Sequence, residues 1–516
     1  MNQRAKNRLS RRGVIKASLV GAASLLACDD KGSAGRPVSL DENQPPGLGP
    51  IQRADTGLPP SVADGSAEVA LPRDPDDHPD AATVEVAPTD AETPVLSRAD
   101  LLGAFDTIVV LCLENRSFDQ LLGARALVEV RPIDGLRRGM SNPDREGRPV
   151  PIAPMQTFVT IDPPHDWDPM HRQWNDGAMD GFVREVPPEA AGDVMGYYQR
   201  ADVPIAWALA DNFVTCDRWF ASVLGPTWPN RMYLHAASSN GVRGNTAVLG
   251  LPSVFDVLNE GGISSANYFV DVPWAAGGYF RIAGNLPIER FFTDAAAGRL
   301  PRVSIIDPGF FGAAANDDHP AHDLRLGQAF TASIYAALAQ SPQWDRTLFV
   351  VTYDENGGFF DHVPPPAAID ANAAFQRLGA RVPALVAGGA VRRGATVSTV
   401  LDHVSVLATI TRRFKLRPLN ARVAATADLA DCIDPALVGR PRPAPQLPMA
   451  PAVSLARLVE VSRVAAAPPA HRELWAMAEA GHIPRALDRR GEALAITRAW
   501  LDEGARLSAL SLRSSR

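Results

Sequence analysis

Phe105-Asp106-Thr107-Ile108-Val109-Val110-Leu111-Cys112-Leu113-Glu114-Asn115 decides the reading of this chain. Apolar residues run unbroken from Ile108 to Leu113 and stop abruptly at Glu114. A strand with one wet face alternates polar and apolar residues, whereas a strand buried on both faces of a parallel sheet does not. The run therefore predicts a central parallel strand. Glu114 and Asn115 then fall at its carboxyl end, where open α/β sheets hold their ligands. Thr347-Leu348-Phe349-Val350-Val351-Thr352-Tyr353 repeats the design and runs straight into Asp354-Glu355-Asn356-Gly357-Gly358-Phe359-Phe360-Asp361-His362.

Weaker strand candidates lie at Asn267 to Val270, Arg302 to Ile306 and Arg381 to Val386, and a helical pattern lies near Leu326 to Leu338. Strands alternating with helices predict an α/β sandwich with a mostly parallel central sheet. If the two strong strands are neighbours, Glu114, Asn115, Asp354 and Glu355 converge as three carboxylates and one amide. A hard divalent cation resolves that repulsion, because such ions take oxygen ligands. Each pair alone also reads as an ordinary strand-end or turn residue.

The whole chain has 516 residues, 46% of them hydrophobic, and a formal net charge of −7. That fits one large α/β enzyme with appendages. A mildly acidic chain is repelled by a phosphate backbone, so no nucleic-acid partner is expected. Cys112, Cys216 and Cys432 remain once Cys28 is set aside, which permits at most one disulfide.

Residues 1–28 read as an address. Ser10-Arg11-Arg12-Gly13-Val14-Ile15-Lys16 resembles a twin-arginine export signal, and the apolar run from Ala17 to Ala27 is too short to span a membrane. Leu25-Leu26-Ala27-Cys28 resembles a lipoprotein cleavage box, with Cys28 as the lipid-bearing residue. The expectation is a protein handed to the twin-arginine export machinery, residing in the periplasm or cell envelope and anchored through the Cys28 lipid. Residues 29–100 are rich in Pro, Asp, Gly and Ala without periodicity, the composition of a disordered tether. The catalytic body is expected over 101–445 and a helical tail over 446–516, with Leu455, Leu458, Val459, Val461, Ala493, Ile496, Trp500 and Leu501 packing on the body.

Glu114-Asn115-Arg116-Ser117-Phe118-Asp119, Gly225-Pro226-Thr227-Trp228-Pro229-Asn230-Arg231, Tyr353 to His362 and Asp402-His403-Val404-Ser405-Val406-Leu407 follow one another in that order. Together they resemble the phosphoesterase family of bacterial phospholipases C and related acid phosphatases, over about Phe105 to Phe414. The resemblance implies an alkaline-phosphatase-like α/β/α fold. It also implies one divalent metal ion on Glu114, Asn115, Asp354 and Glu355, with Thr227 as nucleophile. A hydroxyl is too weak an acid to attack phosphorus unaided and needs such an ion nearby.

In Asn316-Asp317-Asp318-His319-Pro320, His319 stands where relatives carry an active-site histidine and suits a general acid, with Asp317 or Asp318 to orient it. His165 in Pro163-Pro164-His165-Asp166-Trp167 suits a phosphate contact or a second acid, and His362 a supporting role. The expected reaction is hydrolysis of a phospholipid head group or small phosphate ester through a phosphothreonine. An acid phosphatase acting on monoesters is the alternative, and a non-catalytic surface lipoprotein a third reading. Sulfatases oxidise a Cys or Ser at the nucleophile position, and Thr227 cannot yield that aldehyde. Trp167, Trp174, Tyr197, Tyr198 and Trp228 are candidates for a choline cage.

Overall fold

A computed structural model describes residues 96–281, 283–312, 314–453, 471–484 and 486. Residues 1–28 with Cys28, the tether from 29 to 95, and Leu455, Leu458, Val459, Val461, Ala493, Ile496, Trp500 and Leu501 lie outside the described residues. The ordered body begins before the expected boundary at 101. Ser97 accepts from Asp100 N and Asp100 answers to the Ser97 N–H, a capping box that starts a helix at Arg98.

The central sheet has eight strands: β1 (Thr107–Leu113), β2 (Val214–Cys216), β3 (Ser265–Phe269), β4 (Asn285–Pro287), β5 (Val303–Asp307), β6 (Thr347–Tyr353), β7 (Ala384–Gly388) and β8 (Ala395–Val397). Their order across the sheet is β8-β2-β7-β6-β1-β5-β3-β4. Only the β6–β7 and β7–β2 pairings are antiparallel, so the sheet is mostly parallel with one reversed strand. Every residue of β1 and β6 is buried, which requires cover on both faces and explains why neither strand alternates. The two pair in parallel, with Leu111 opposite Val351 and Leu113 opposite Tyr353.

The helices that matter here are α1 (Trp167–Trp174), α2 (Pro204–Asn212), α3 (Thr227–Ala236), α4 (Trp274–Tyr279), α5 (Leu324–Ala339), α6 (His403–Arg413) and α7 (Arg472–Glu479). Helix α3 packs on α6, and α2 on α5. Among the described residues no helix is long and apolar enough to cross a membrane.

One strand candidate needs correction. The stretch from Arg381 to Val386 becomes a strand only at Ala384, and it runs against β6. Pro383 offers no N–H to a ladder, and the Arg381 guanidinium is drawn into the interior by Asp361 Oδ1 (2.8 Å) and Asp119 Oδ1 (3.1 Å). Strands β2, β4 and β8 have three residues each, too few to show a period.

Candidate active site

Because β1 and β6 lie side by side in register, the residues just past their carboxyl ends meet. Asp354 N donates to the Leu113 carbonyl (3.1 Å), and Asn115 N donates to Asp354 Oδ1 (3.2 Å). Asn115 holds a left-handed backbone (φ 56°), a conformation asparagine tolerates better than most residues. Gly357 presses against it: a Cβ there would stand 2.5 Å from the Asn115 carbonyl oxygen. That contact explains why the turn after Glu355 carries glycine.

Thr227 is the first residue of α3, preceded by Pro226 in extended conformation. Its hydroxyl is fully buried and donates to Glu355 Oε1 at 2.8 Å. The Asn115 amide lies between this pair and two histidines. With its nitrogen toward Glu355 Oε1 (2.9 Å) and Asp354 Oδ1 (3.3 Å), its oxygen faces His165 Nε2 (3.1 Å) and His319 Nε2 (3.2 Å). Both rings direct Nδ1 at a backbone carbonyl, Pro163 O for His165 (2.7 Å) and Pro320 O for His319 (2.8 Å). A carbonyl only accepts, so Nδ1 of each ring carries a proton and Nε2 of each is turned toward the Asn115 amide.

The seven residues read from the sequence thus come together, with Glu355 and Asn115 at the centre. His165 is the most open of them, at 9% exposure against zero for the rest. Access from solvent therefore lies on its side.

Arg231, four residues after Thr227 on α3, holds the acids apart. Its Nε donates to Asp354 Oδ2 (2.8 Å) and another nitrogen to Glu114 Oε1. Asp307, at the carboxyl end of β5, stands 3.6 Å away. All four groups are fully buried. One guanidinium therefore faces Glu114, Asp307, Asp354 and, beyond them, Glu355. Burial, reinforced by the Glu114 charge against the pull of Arg231, pushes the Asp354 carboxyl up to about 6. Burial and the neighbouring Asp354 push Glu355 well above the usual carboxylate range.

Glu355 Oε2 is buried without a hydrogen-bond partner. An orphaned carboxylate oxygen among buried acids fits a divalent cation, so Glu114, Asp354 and Glu355 suit the ion expected of them, and Asn115 would join them by turning its amide oxygen, in place of its nitrogen, toward Glu355. Among the described residues the carboxylate and histidine groups whose ligand atoms lie close enough to share an ion are Asp162 with His165 and His319, and Asp119 with Asp361 and His362; the trio Glu114, Asp354 and Glu355 is not among them. In the second, Arg381 already answers both acids, and His362 bonds Asp119 (2.6 Å) and Asp134 (3.2 Å). That group is a support under the loop that follows Glu355.

Some expectations are corrected. Neither Asp317 nor Asp318 touches the His319 ring: Asp317 accepts from the His319 backbone N–H (3.0 Å) and from His322 Nδ1 (2.7 Å), while Asp318 accepts from the Tyr353 hydroxyl (2.7 Å). The proposed choline cage does not assemble either. Trp228 is buried against Trp274, Tyr198 donates to Thr157 O, and Trp167 and Trp174 are each stacked by an arginine of the chain itself, Arg243 (4.7 Å) and Arg377 (4.6 Å).

Sequence reasoning passed over three supporting residues. Arg231 sat unassigned in a quoted motif, and Asp307 ends a strand in the manner of Glu114. His403, at the start of α6, donates from Nε2 to the Asp354 carbonyl (2.7 Å) and fixes its backbone.

A family model described as the Phosphoesterase family matches residues 105–272 and 265–417. Non-specific phospholipase C1 of Arabidopsis thaliana is 34% identical over 365 residues, covering 61% of this chain and 68% of that protein. Phospholipase C B of Mycobacterium tuberculosis is 30% identical over 384 residues, covering 60% and 73%. Among solved structures, the phosphonate monoester hydrolase of Agrobacterium radiobacter aligns with a TM-score of 0.33 at 11% identity, over 64% of this chain and 77% of that one.

Proposed function

Because this chain belongs to the Phosphoesterase family, we propose that it is a phospholipase C-type hydrolase in which Thr227 attacks phosphorus and a phosphothreonine forms and is hydrolysed. The observation that carries this reading is the 2.8 Å bond from the Thr227 hydroxyl to Glu355, within a fully buried set that includes Asn115 and His319. A divalent ion bound by Glu114, Asn115, Asp354 and Glu355 would neutralise charge on the phosphoryl group and favour the alkoxide of the nucleophile.

Glu355 orients the Thr227 hydroxyl and stands in place to receive its proton as Oγ1 attacks. His319, protonated at Nε2, gives that proton to the departing alkoxide while the phosphorus–oxygen bond breaks. His165, on the open side, contacts the phosphoryl oxygens or shares the acid role. The His319 imidazole then takes a proton from the water that attacks phosphorus, and as the phosphothreonine P–O bond breaks Glu355 returns its proton to Thr227 Oγ1, which restores the starting state. Burial lowers the His319 pKa below its ordinary value, so the acid form is available in the free enzyme only at acidic pH and is favoured once a phosphate anion sits beside it.

Relatives named phospholipase C support a phospholipid diester as substrate. The paired arginines and Cys28 support export and attachment to a membrane, which would bring the enzyme to such a substrate. The test is hydrolysis of p-nitrophenylphosphorylcholine against p-nitrophenyl phosphate by the metal-loaded chain, with Thr227→Ala as control. Preference for the diester is expected. Preference for the monoester would make the protein an acid phosphatase, and turnover of either ester without Thr227 would overturn the mechanism.

A further inference from the structure

Helix α7 lies outside the residues that the family model matches, yet it is bound to the active site. Leu474 and Ala478 of α7, with Ile483 beyond it, enter an apolar cluster built from Trp228 and Met232 of α3, Trp274, Ala275 and Tyr279 of α4, and Phe310 and Phe311. Leu474 presses so close to α4 that a Cβ on Gly277 would meet it at 2.2 Å. Trp475 meets Phe311 with ring centroids 4.9 Å apart, and Ala486 N donates to Asp271 O (2.9 Å).

At the head of α7 this apolar contact delivers one polar side chain. His471 is fully buried, with its ring 4.8 Å from Phe310 and 5.8 Å from His319, and its Nε2 stands 3.1 Å from Glu114 Oε2. Glu114 thus has one oxygen on Arg231 and the other on His471. A second observation sets His471 apart from a packing residue: its Nδ1 is buried without a hydrogen-bond partner. A phenylalanine would fill the place without that desolvation penalty, so stability alone does not account for histidine here.

We propose that His471 is a positioning residue for Glu114: it donates from Nε2 to Oε2, fixes the carboxylate, and so makes the C-terminal segment part of the divalent-cation site. The inference rests on the reading of Glu114 as a ligand. Each carboxylate oxygen keeps a second lone pair, so holding both oxygens orients Glu114 without consuming its capacity to bind an ion. Hydrogen-bonded partners of this kind set metal affinity, and losing one weakens binding by about 10- to 100-fold.

Two full-chain variants separate the donor from the packing. His471→Phe keeps the aromatic contact with Phe310 and loses the donor, while His471→Gln keeps an N–H able to reach the same oxygen. Mn2+ binding by the metal-stripped proteins is read from the loss of the free-ion electron paramagnetic resonance signal, with Glu114→Gln alongside. The expected result is about 10- to 100-fold weaker binding for His471→Phe, most of it restored in His471→Gln, and a weakening in Glu114→Gln at least as large. Wild-type affinity in His471→Phe, or equal weakening in the Phe and Gln variants, would overturn the positioning role. Wild-type affinity in Glu114→Gln would instead remove Glu114 from the ligand set, which is the failure of the underlying reading.

Discussion

Replacing Arg231 with methionine tests the charge balance on which the site is built. Methionine keeps much of the apolar stem and deletes the charge together with the guanidinium that lies over Phe310 (5.2 Å) and Trp274 (6.0 Å). The guanidinium meets Asp354 at 2.8 Å, Glu114, and Asp307 at 3.6 Å, and donates to the Cys112 carbonyl (3.1 Å), all out of solvent. Removing one partner of a buried ion pair destabilises by about 3–5 kcal/mol, because the other charge stays buried and uncompensated.

The acids can escape that penalty by taking up protons. Burial already raises Glu114, Asp307 and Asp354, and Arg231 opposes the rise in each. A carboxyl with a raised folded pKa contributes stability that is full below its unfolded pKa and lost as pH rises through the folded value. Without Arg231 those folded values climb further. The deficit of the variant should therefore be small near the ordinary carboxylate range and grow as pH rises through about 6, the value of Asp354 in the intact site.

The assay is urea unfolding of the full chain in chelator, at about pH 5 and about pH 8. Adding Glu114→Gln to Arg231→Met removes one uncompensated charge and should recover about 0.5–3 kcal/mol at the higher pH, the range of coupling between contacting groups. A loss below about 1 kcal/mol at both pH values, or a loss larger at the acid end, would refute the reasoning.

Thr227→Ala should fold and lose at least about 10⁴ in kcat on p-nitrophenylphosphorylcholine, the scale on which an activated nucleophile acts, while Thr227→Ser keeps turnover; equal rates in the Ala variant would show that another group attacks. His362 supports the loop after Glu355: burial lowers its pKa, and the hydrogen bond and charge of Asp119 outweigh that and raise it. Its contribution is full below 6.5 and is lost as pH rises through the raised folded value, so His362→Gln should flatten that part of a plot of melting temperature against pH, and an unchanged slope would rule it out. Cys28→Ser should move the protein from the membrane to the soluble fraction of cells that export it, and an unchanged distribution would remove the lipid anchor.

The acids of the site were legible in the sequence because topology alone places them. Two uninterrupted apolar runs had to be central strands, and a residue that follows a central parallel strand has one place to be. Glu114 beside Asp354 needed only the further step that β1 and β6 are neighbours. Asp307 was open to the same reasoning and was missed because its strand, Val303–Asp307, showed in the sequence only as the weak candidate from Arg302 to Ile306, too short a run to mark its carboxyl end. Trp167 and Trp174 misled for the opposite reason: an aromatic pair reads the same in sequence whether its faces await a ligand or carry Arg243 and Arg377.

The groups that answer those acids could not be read the same way. Arg231 reaches them from a helix, four residues past Thr227, so its role follows from how α3 docks on the strand ends. His471 reaches Glu114 across 357 positions of sequence, and nothing in the pattern around it marks a site. Strand ends are fixed by the sheet, while their counter-charges come from elements whose placement depends on side-chain packing. The apolar cluster under α7 thus shapes function as well as stability, since Leu474 against Gly277 sets where the His471 imidazole stands, and through it how Glu114 is held.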